Sequence, residues 1–115
     1  MTRRDAVCDL YVHLSWHTWR RVACLDPAAV RDLVAAIDDA GERCGVTVLR
    51  GACLRSRVDL LVRFQPTTRL SDFVGFVKSL SCWHANQRKD GALRWSRGFS
   101  ARSVANGELE SVHFN

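Results

Sequence analysis

Apolar and polar residues alternate over the first part of the chain, a pattern typical of a strand with one buried face. The apolar positions of this alternation are Cys8, Leu10, Val12, Leu14 and Trp16. Successive side chains of a β-strand point to opposite faces of a sheet, so a period of two residues places all five on one face. The pattern therefore predicts a first strand over residues 8–16.

After the first strand, the spacing of the apolar residues changes to that of a helix. Asp26 is a favourable N-cap, Pro27 suits the first helical position, and Gly45 is a favourable C-cap. Between them, apolar residues recur at steps of three and four, at Val30, Leu33, Val34, Ile37 and Ala40. We therefore expect a first helix from Pro27 to about Cys44, with its acidic residues on the opposite face.

Two β-rich runs come next, Val46–Cys53 and Arg57–Phe64. The short connection between them, residues 54–56, predicts a hairpin, and Pro66 closes its second strand.

Helical spacing returns from Leu70 to Asn86, and we expect Trp83 on that helix, like Trp16 on the first strand, to lie in the core. A polar loop over residues 87–91 leads into residues 93–104, which predict a fourth strand, either regular or with a bulge at Gly98. Asn106 and Gly107 then turn into a short terminal helix.

The order of these elements is β-α-β-β-α-β. It predicts an α+β fold of the ferredoxin-like type, an antiparallel sheet with two helices on one face and a short C-terminal helix. The other face of the sheet is expected to be free. A chain of 115 residues accommodates one such domain, which we expect to span residues 1–115.

The apolar segments and the cysteines indicate the cellular compartment to expect. No apolar stretch approaches the roughly 20 residues of a membrane helix, and no signal peptide is recognisable, so we expect a cytoplasmic protein without membrane contact. The five cysteines form no C-x-x-C pair, and an odd number cannot all pair within one chain, so reduced thiols are expected.

The net charge of +5 is unevenly distributed. Residues 26–45 hold five acidic and two basic residues, whereas residues 46–104 hold eleven basic and three acidic residues. Concentrated positive charge favours a polyanionic partner, although charge alone does not identify one.

Several segments together resemble one family. In chain order they are residues 11–21 (YVHLSWHTWRR), residues 57–62 (RVDLLV), residues 70–86 with Lys78, residues 93–95 (LRW), Gly98-Phe99 and Ser103-Val104. They resemble the IS200-like transposases, the single-tyrosine HUH superfamily that includes the REP-associated transposases. The resemblance implies a homodimer that recognises single-stranded or hairpin DNA, and a metal-dependent DNA transposase or single-strand endonuclease activity.

The chain departs from that family at its catalytic positions. Arg57 and Asp59 stand where the family has two histidines that bind a divalent cation. The family's nucleophilic tyrosine corresponds to Asn115, or to Phe114 with a shift of one residue. Residues 57 and 59 share a face of their strand, so we expect them to form an ion pair in place of a metal site. Mg²⁺ or Mn²⁺ is expected only if the family's activity is retained.

Cations and aromatic residues supply the candidates for DNA contact. We expect the nucleic-acid-binding residues to be Trp19, Arg20, Arg21, Lys78, Arg88, Lys89, Arg94 and Arg97. His13 and His17 share a face of the first strand, but without a third ligand we interpret them as polar residues of the exposed sheet face rather than metal ligands.

The sequence thus predicts a DNA-binding member of this family that has lost strand cleavage. Two alternatives stay open: an active transposase with unconventional catalytic residues, and a protein-interaction or assembly module that has kept only the fold.

Overall fold

A computed structural model describes residues 9–114. Its strands are β1 (Leu10–His17), β2 (Thr47–Cys53), β3 (Arg57–Phe64) and β4 (Ser100–Val104), and its helices are α1 (Pro27–Cys44) and α2 (Leu70–Arg88). Two short 3₁₀ turns, Trp19–Arg21 and Asn106–Ser111, complete the chain. The strand order is β2-β3-β1-β4, and every neighbouring pair is antiparallel, which confirms the predicted βαββαβ arrangement.

The alternation predicted for the first strand is present in β1. Val12, Leu14 and Trp16 are buried and lie opposite Val62, Leu60 and Val58 of β3, and all six belong to one core cluster with residues of both helices. Both helices therefore cover the same face of the sheet. The predicted start of the strand at Cys8 lies outside the described residues.

The helix α1 begins and ends at the residues that the sequence predicts. The Asp26 carboxylate accepts a hydrogen bond from the Ala29 backbone at 2.9 Å, and Pro27 occupies the first turn. Gly45 ends the helix in the left-handed conformation, with φ 71°, which glycine adopts without steric cost.

The predictions for α2 were wrong at two points. The helix extends through Gln87 to Arg88, so these residues are not part of the expected polar loop. Trp83 is 60% exposed and does not lie in the core. The buried positions of α2 follow the line through Val77, Ser81 and Ala85, and a residue two positions beyond Ser81 lies about 200° around the helix from it.

The predicted fourth strand over residues 93–104 was also wrong in its first half. Regular pairing begins only at Ser100, and Trp95 forms one isolated bridge with Thr18, the residue after β1. Lys78 of α2 donates hydrogen bonds to the carbonyls of Ser96, at 2.9 Å, and Gly98, at 2.6 Å. On its other side the same segment keeps isolated hydrogen bonds to the end of β1, where the Ser96 N–H donates to the His17 carbonyl at 3.0 Å. The segment before β4 therefore lies between α2 and the sheet edge without forming a regular strand.

The sheet face opposite the helices is not free, which corrects a further expectation. Arg50 of β2 donates a hydrogen bond to the Leu109 carbonyl in the last 3₁₀ turn, and the Phe114 ring lies 4.9 Å from that of His13 in β1. The segment 106–114 therefore covers part of this face. No helix among the described residues is long and apolar enough to cross a membrane.

Candidate nucleic-acid interface

A buried polar cluster lies on the sheet face opposite the helices. Asp59 of β3 is fully buried. Arg57 donates from Nε to Asp59 Oδ2 at 2.8 Å and from Nη2 to Oδ1 at 3.1 Å. His13 of β1 donates from Nε2 to the same Oδ1 at 2.9 Å. The predicted ion pair between Arg57 and Asp59 is therefore confirmed, and His13 joins it.

The cluster stabilises Asp59 in its charged form. Burial by itself raises the pKa of the Asp59 carboxyl, but the hydrogen bonds and charges of Arg57 and His13 outweigh it, and the pKa lies below its ordinary value. The pKa of the Arg57 guanidinium is raised, first by its hydrogen bond to Asp59 and then by the charge of that carboxylate. Asp59 is thus a carboxylate at neutral pH, with both oxygens occupied.

These residues do not fit a divalent cation. A cation requires free lone pairs, but both Asp59 oxygens accept hydrogen bonds, and the neighbouring Arg57 offers a positive charge and no lone pair. Within residues 9–114, no group of three or more histidine, cysteine, aspartate or glutamate side chains is placed to hold a metal ion. His13 and His17 of β1 accordingly do not form part of such a group.

The end of the described chain lies against this cluster. Phe114, one of the two positions predicted to correspond to the family's tyrosine, packs on His13, which in turn contacts Asp59. The other position, Asn115, lies outside the described residues. A phenylalanine ring carries no hydroxyl, so at Phe114 it supplies packing and no nucleophile.

A strained turn after β1 presents two of the predicted DNA-binding cations. Arg20 and Arg21 are exposed and have φ angles of 52° and 56°, values that are uncommon for residues other than glycine. Buried Thr18 supports the turn, because its hydroxyl donates to the Val22 carbonyl at 2.7 Å and its backbone N–H to Ser56 at 2.9 Å. The surrounding structure thus holds both arginines outward.

The same turn adjoins the segment before β4. The Trp19 backbone N–H donates to the Arg94 carbonyl at 2.8 Å, and the Arg94 guanidinium carbon lies 4.1 Å from the centre of the Trp19 ring. The Arg20 guanidinium carbon lies 5.4 Å from that ring. Both distances are typical of cation–π contact. We call the surface formed by Trp19, Arg20, Arg21, Arg94 and Arg97 the cationic end.

A cavity of about 480 Å³ opens beside the cationic end, between the last residues of β1 and the segment leading into β4. Three arginines line it, Arg21, Arg57 and Arg97, together with His17 and Phe99. We call it the arginine cavity. Arg57 therefore connects the buried Asp59 cluster with the predicted DNA-binding surface.

The other predicted DNA-binding cations lie apart from this surface or are already bound. Lys78 is half-buried and holds the 96–98 backbone, and its burial lowers the pKa of its ammonium group. Arg88 forms an ion pair with Asp32 of α1, with Nε 3.2 Å from Oδ2. Lys89 follows α2 and is exposed. The structure thus gathers five of the eight predicted residues at the cationic end.

Two residues of this region were missed as functional candidates. His13 was interpreted as an exposed polar residue, but it binds Asp59, 46 residues away in the chain, and only the β1–β3 register brings them together. Phe99 was taken only as a strand residue, yet it is 37% exposed and lines the arginine cavity. The position of Phe99 next to Gly98, between two basic segments, could have indicated a role at the DNA-binding surface.

Solved structures with the same fold include transposases. A protein from Deinococcus radiodurans R1, assigned as a transposase and solved at 1.90 Å, superposes with a TM-score of 0.73 at 22% identity, covering 96% of this chain and 91% of that one. A REP-associated tyrosine transposase bound to a REP hairpin also gives a TM-score of 0.73, at 13% identity, covering 96% of this chain and 66% of that one. No curated protein matches the sequence.

The sequence itself matches a transposase family over nearly its whole length. The family described as "Transposase IS200 like" covers residues 6–113. This span includes β1, the Asp59 cluster, the cationic end and most of the terminal segment. The chain therefore belongs to the IS200-like transposase family.

Proposed function

We propose that this chain binds single-stranded or hairpin DNA and does not cleave it. The proposal rests on the cationic end, where Arg20 and Arg94 contact the ring of half-buried Trp19. The other two arginines of this surface, Arg21 and Arg97, line the adjoining cavity. Arginines neutralise phosphates, and aromatic or guanidinium planes stack on unpaired bases. Duplex DNA keeps its bases stacked internally, so this combination favours DNA with unpaired bases.

The family and the fold support DNA as the partner. The REP-associated tyrosine transposase with this fold is bound to a REP hairpin. The concentration of positive charge in residues 46–104 supports the same class of ligand. The resemblance to single-tyrosine HUH transposases supports a homodimer as the binding unit.

The Asp59 cluster supports the absence of cleavage. Where the family's metal-binding histidines would stand, Arg57 and Asp59 bind each other, and His13 occupies the remaining position on the carboxylate. The one tyrosine among the 115 residues, Tyr11, lies within β1 and not on the terminal segment. Within these 115 residues, neither of the two groups on which the family's strand cleavage depends is present at its expected position.

The test is titration of a fluorescent hairpin with hydroxyl ends at several salt concentrations. Contact with four to six phosphates predicts a slope of log affinity against log salt of roughly −3 to −5, because bound phosphates release counterions. Arg20→Glu and Arg21→Glu should weaken binding and make the slope shallower. Trp19→Ala should weaken binding with the slope unchanged, since stacking releases no counterion.

The matched control is Arg31→Glu, which reverses an exposed arginine of α1 on the helix-covered side of the sheet. It should change affinity far less than Arg20→Glu. Absence of binding at low salt, or equal binding by all these variants, would contradict the proposal and favour an assembly module that has kept only the fold.

A further inference from the structure

The arginine cavity is a second feature of this surface, and it shares Arg21 and Arg97 with the cationic end. Its three guanidinium groups come from three separate parts of the chain: Arg21 from the turn after β1, Arg57 from β3, and Arg97 from the segment before β4. A volume of about 480 Å³ lies within the range of roughly 300–1,000 Å³ that is typical of small-ligand sites. No acidic side chain lines it within the described part of the chain.

Arg57 is already oriented for a second anion. A guanidinium carries five N–H donors, and Asp59 accepts from Nε and from Nη2. The two donors on Nη1 and the second donor on Nη2 have no acceptor among the described residues, and the Arg57 side chain is 39% exposed. Because Asp59 fixes the guanidinium plane, the free edge is a preorganised fork for a phosphate.

The charge around the cavity favours a doubly charged ligand. Three guanidinium groups and the buried Asp59 carboxylate give two net positive charges. A phosphate monoester carries between about 1.5 and 2 negative charges at pH 7. A phosphodiester within a DNA strand carries one, and would leave a positive charge uncompensated.

The wall of the cavity also offers an aromatic surface. Phe99 lines the cavity and is 37% exposed, so its ring is accessible to a planar group. A phosphate bound by the three arginines would bring the attached nucleotide to this side of the cavity, where its base can stack on a phenyl ring.

We infer that the arginine cavity binds the terminal phosphate monoester of a DNA strand, with Arg57 supplying the positive charge that a metal ion would otherwise provide. The inference rests on the proposed DNA binding and adds to it a specific end group. Arg57, Arg21 and Arg97 contact the phosphate, Phe99 contacts the terminal base, and no divalent cation takes part.

The experiment compares three fluorescent hairpins of identical sequence in buffer with EDTA. One carries a 5′-phosphate, one a 3′-phosphate, and one hydroxyl groups at both ends. We expect one of the two phosphorylated hairpins to bind roughly tenfold more tightly than the hydroxyl form, because its end group adds charge-assisted hydrogen bonds. The result identifies which end of the strand enters the cavity.

Substitutions of the cavity arginines test whether the preference for a phosphorylated hairpin arises in the cavity. Arg21→Ala and Arg97→Ala remove exposed side chains and should reduce the preference for the phosphorylated hairpin to about threefold or less. Arg57→Lys keeps a positive charge beside Asp59 but loses the fork, and should also lower the preference. The control variant Arg31→Ala should retain the full tenfold ratio.

The outcomes separate this inference from the proposed function. Equal binding of all three hairpins would overturn the terminal-phosphate site and leave DNA binding intact. A preference that survives both Arg21→Ala and Arg97→Ala, or one that appears only when Mg²⁺ replaces EDTA, would also overturn it. If no hairpin bound at low salt, the proposed function would fail together with the inference.

Discussion

Arg57→Ala is expected to lower the free energy of unfolding by about 3 kcal/mol at pH 7, because it leaves the buried Asp59 carboxylate without its main partner. This value lies at the lower end of the range for broken buried ion pairs, since His13 still donates to Asp59. The measurement is urea unfolding followed by circular dichroism. The control, Arg69→Ala, breaks an exposed ion pair with Asp72 and should cost under about 1 kcal/mol.

The loss of stability in Arg57→Ala should be larger at neutral pH than at acidic pH. In the folded wild type the pKa of Asp59 lies below its ordinary value: burial raises it, and the hydrogen bonds from Arg57 and His13 more than offset that. A carboxyl with a lowered folded pKa contributes stability above its unfolded pKa of about 3.9 and loses that contribution as the pH falls through the folded value.

Without Arg57, burial dominates and favours the protonated carboxyl. The deficit of Arg57→Ala should therefore be full at pH 7 and shrink as the pH falls towards about 4. A deficit that is constant over this interval, or no deficit at pH 7, would show that the ion pair does not stabilise the fold.

The double substitution Arg57→His with Asp59→His is expected to fold and to bind Zn²⁺ at least about 100-fold more tightly than the wild type. It removes both partners of the ion pair, so no buried charge remains unpaired, and it places two imidazoles on the strand face beside His13. Competition with a chromophoric chelator measures the affinity.

The matched control for this gain is Arg57→Asn with Asp59→Asn, which removes the same charges and introduces no imidazole. Equal Zn²⁺ affinity in the two double variants would contradict the expectation that imidazoles at positions 57 and 59 create a metal site.

The parts of the fold that depend on neighbouring residues could be predicted from the sequence. The alternation through β1, the Asp26 cap and the Gly45 terminus each involve contacts within a few residues. The ion pair of Arg57 and Asp59 was predictable for the same reason, because a two-residue spacing on one strand fixes a shared face.

The wrong predictions concern places where contacts between segments distant in sequence determine the structure. Lys78 binds the Ser96 and Gly98 carbonyls, and regular pairing with β1 begins only at Ser100, although the residues from Leu93 onward have a β-like pattern. Trp83 was predicted in the core because it was assigned to the apolar register of the helix, but its angular position on α2 directs it to solvent. The packing of Phe114 on His13 likewise depends on tertiary contacts that no local pattern contains.

The candidate interface was predictable as a set of residues but not as an arrangement. Sequence reasoning selected the arginines around Trp19 and the segment before β4, yet it counted Arg88, which is bound to Asp32. It also predicted Arg57 as the ion-pair partner of Asp59 but not as a residue of the DNA-binding surface. The arginine cavity exists because three segments meet at the end of β1, which is a property of the topology.

One comparison tests whether the protein binds hairpin DNA without a metal ion and without cleaving it. A labelled hairpin and its blunt duplex are titrated at constant ionic strength in EDTA and in Mg²⁺, and each mixture is then run on a denaturing gel. We predict tighter binding of the hairpin than of the duplex, equal affinity in both buffers, and a full-length strand without attached protein. Binding that requires Mg²⁺, or a cleaved strand linked to the protein, would contradict the account.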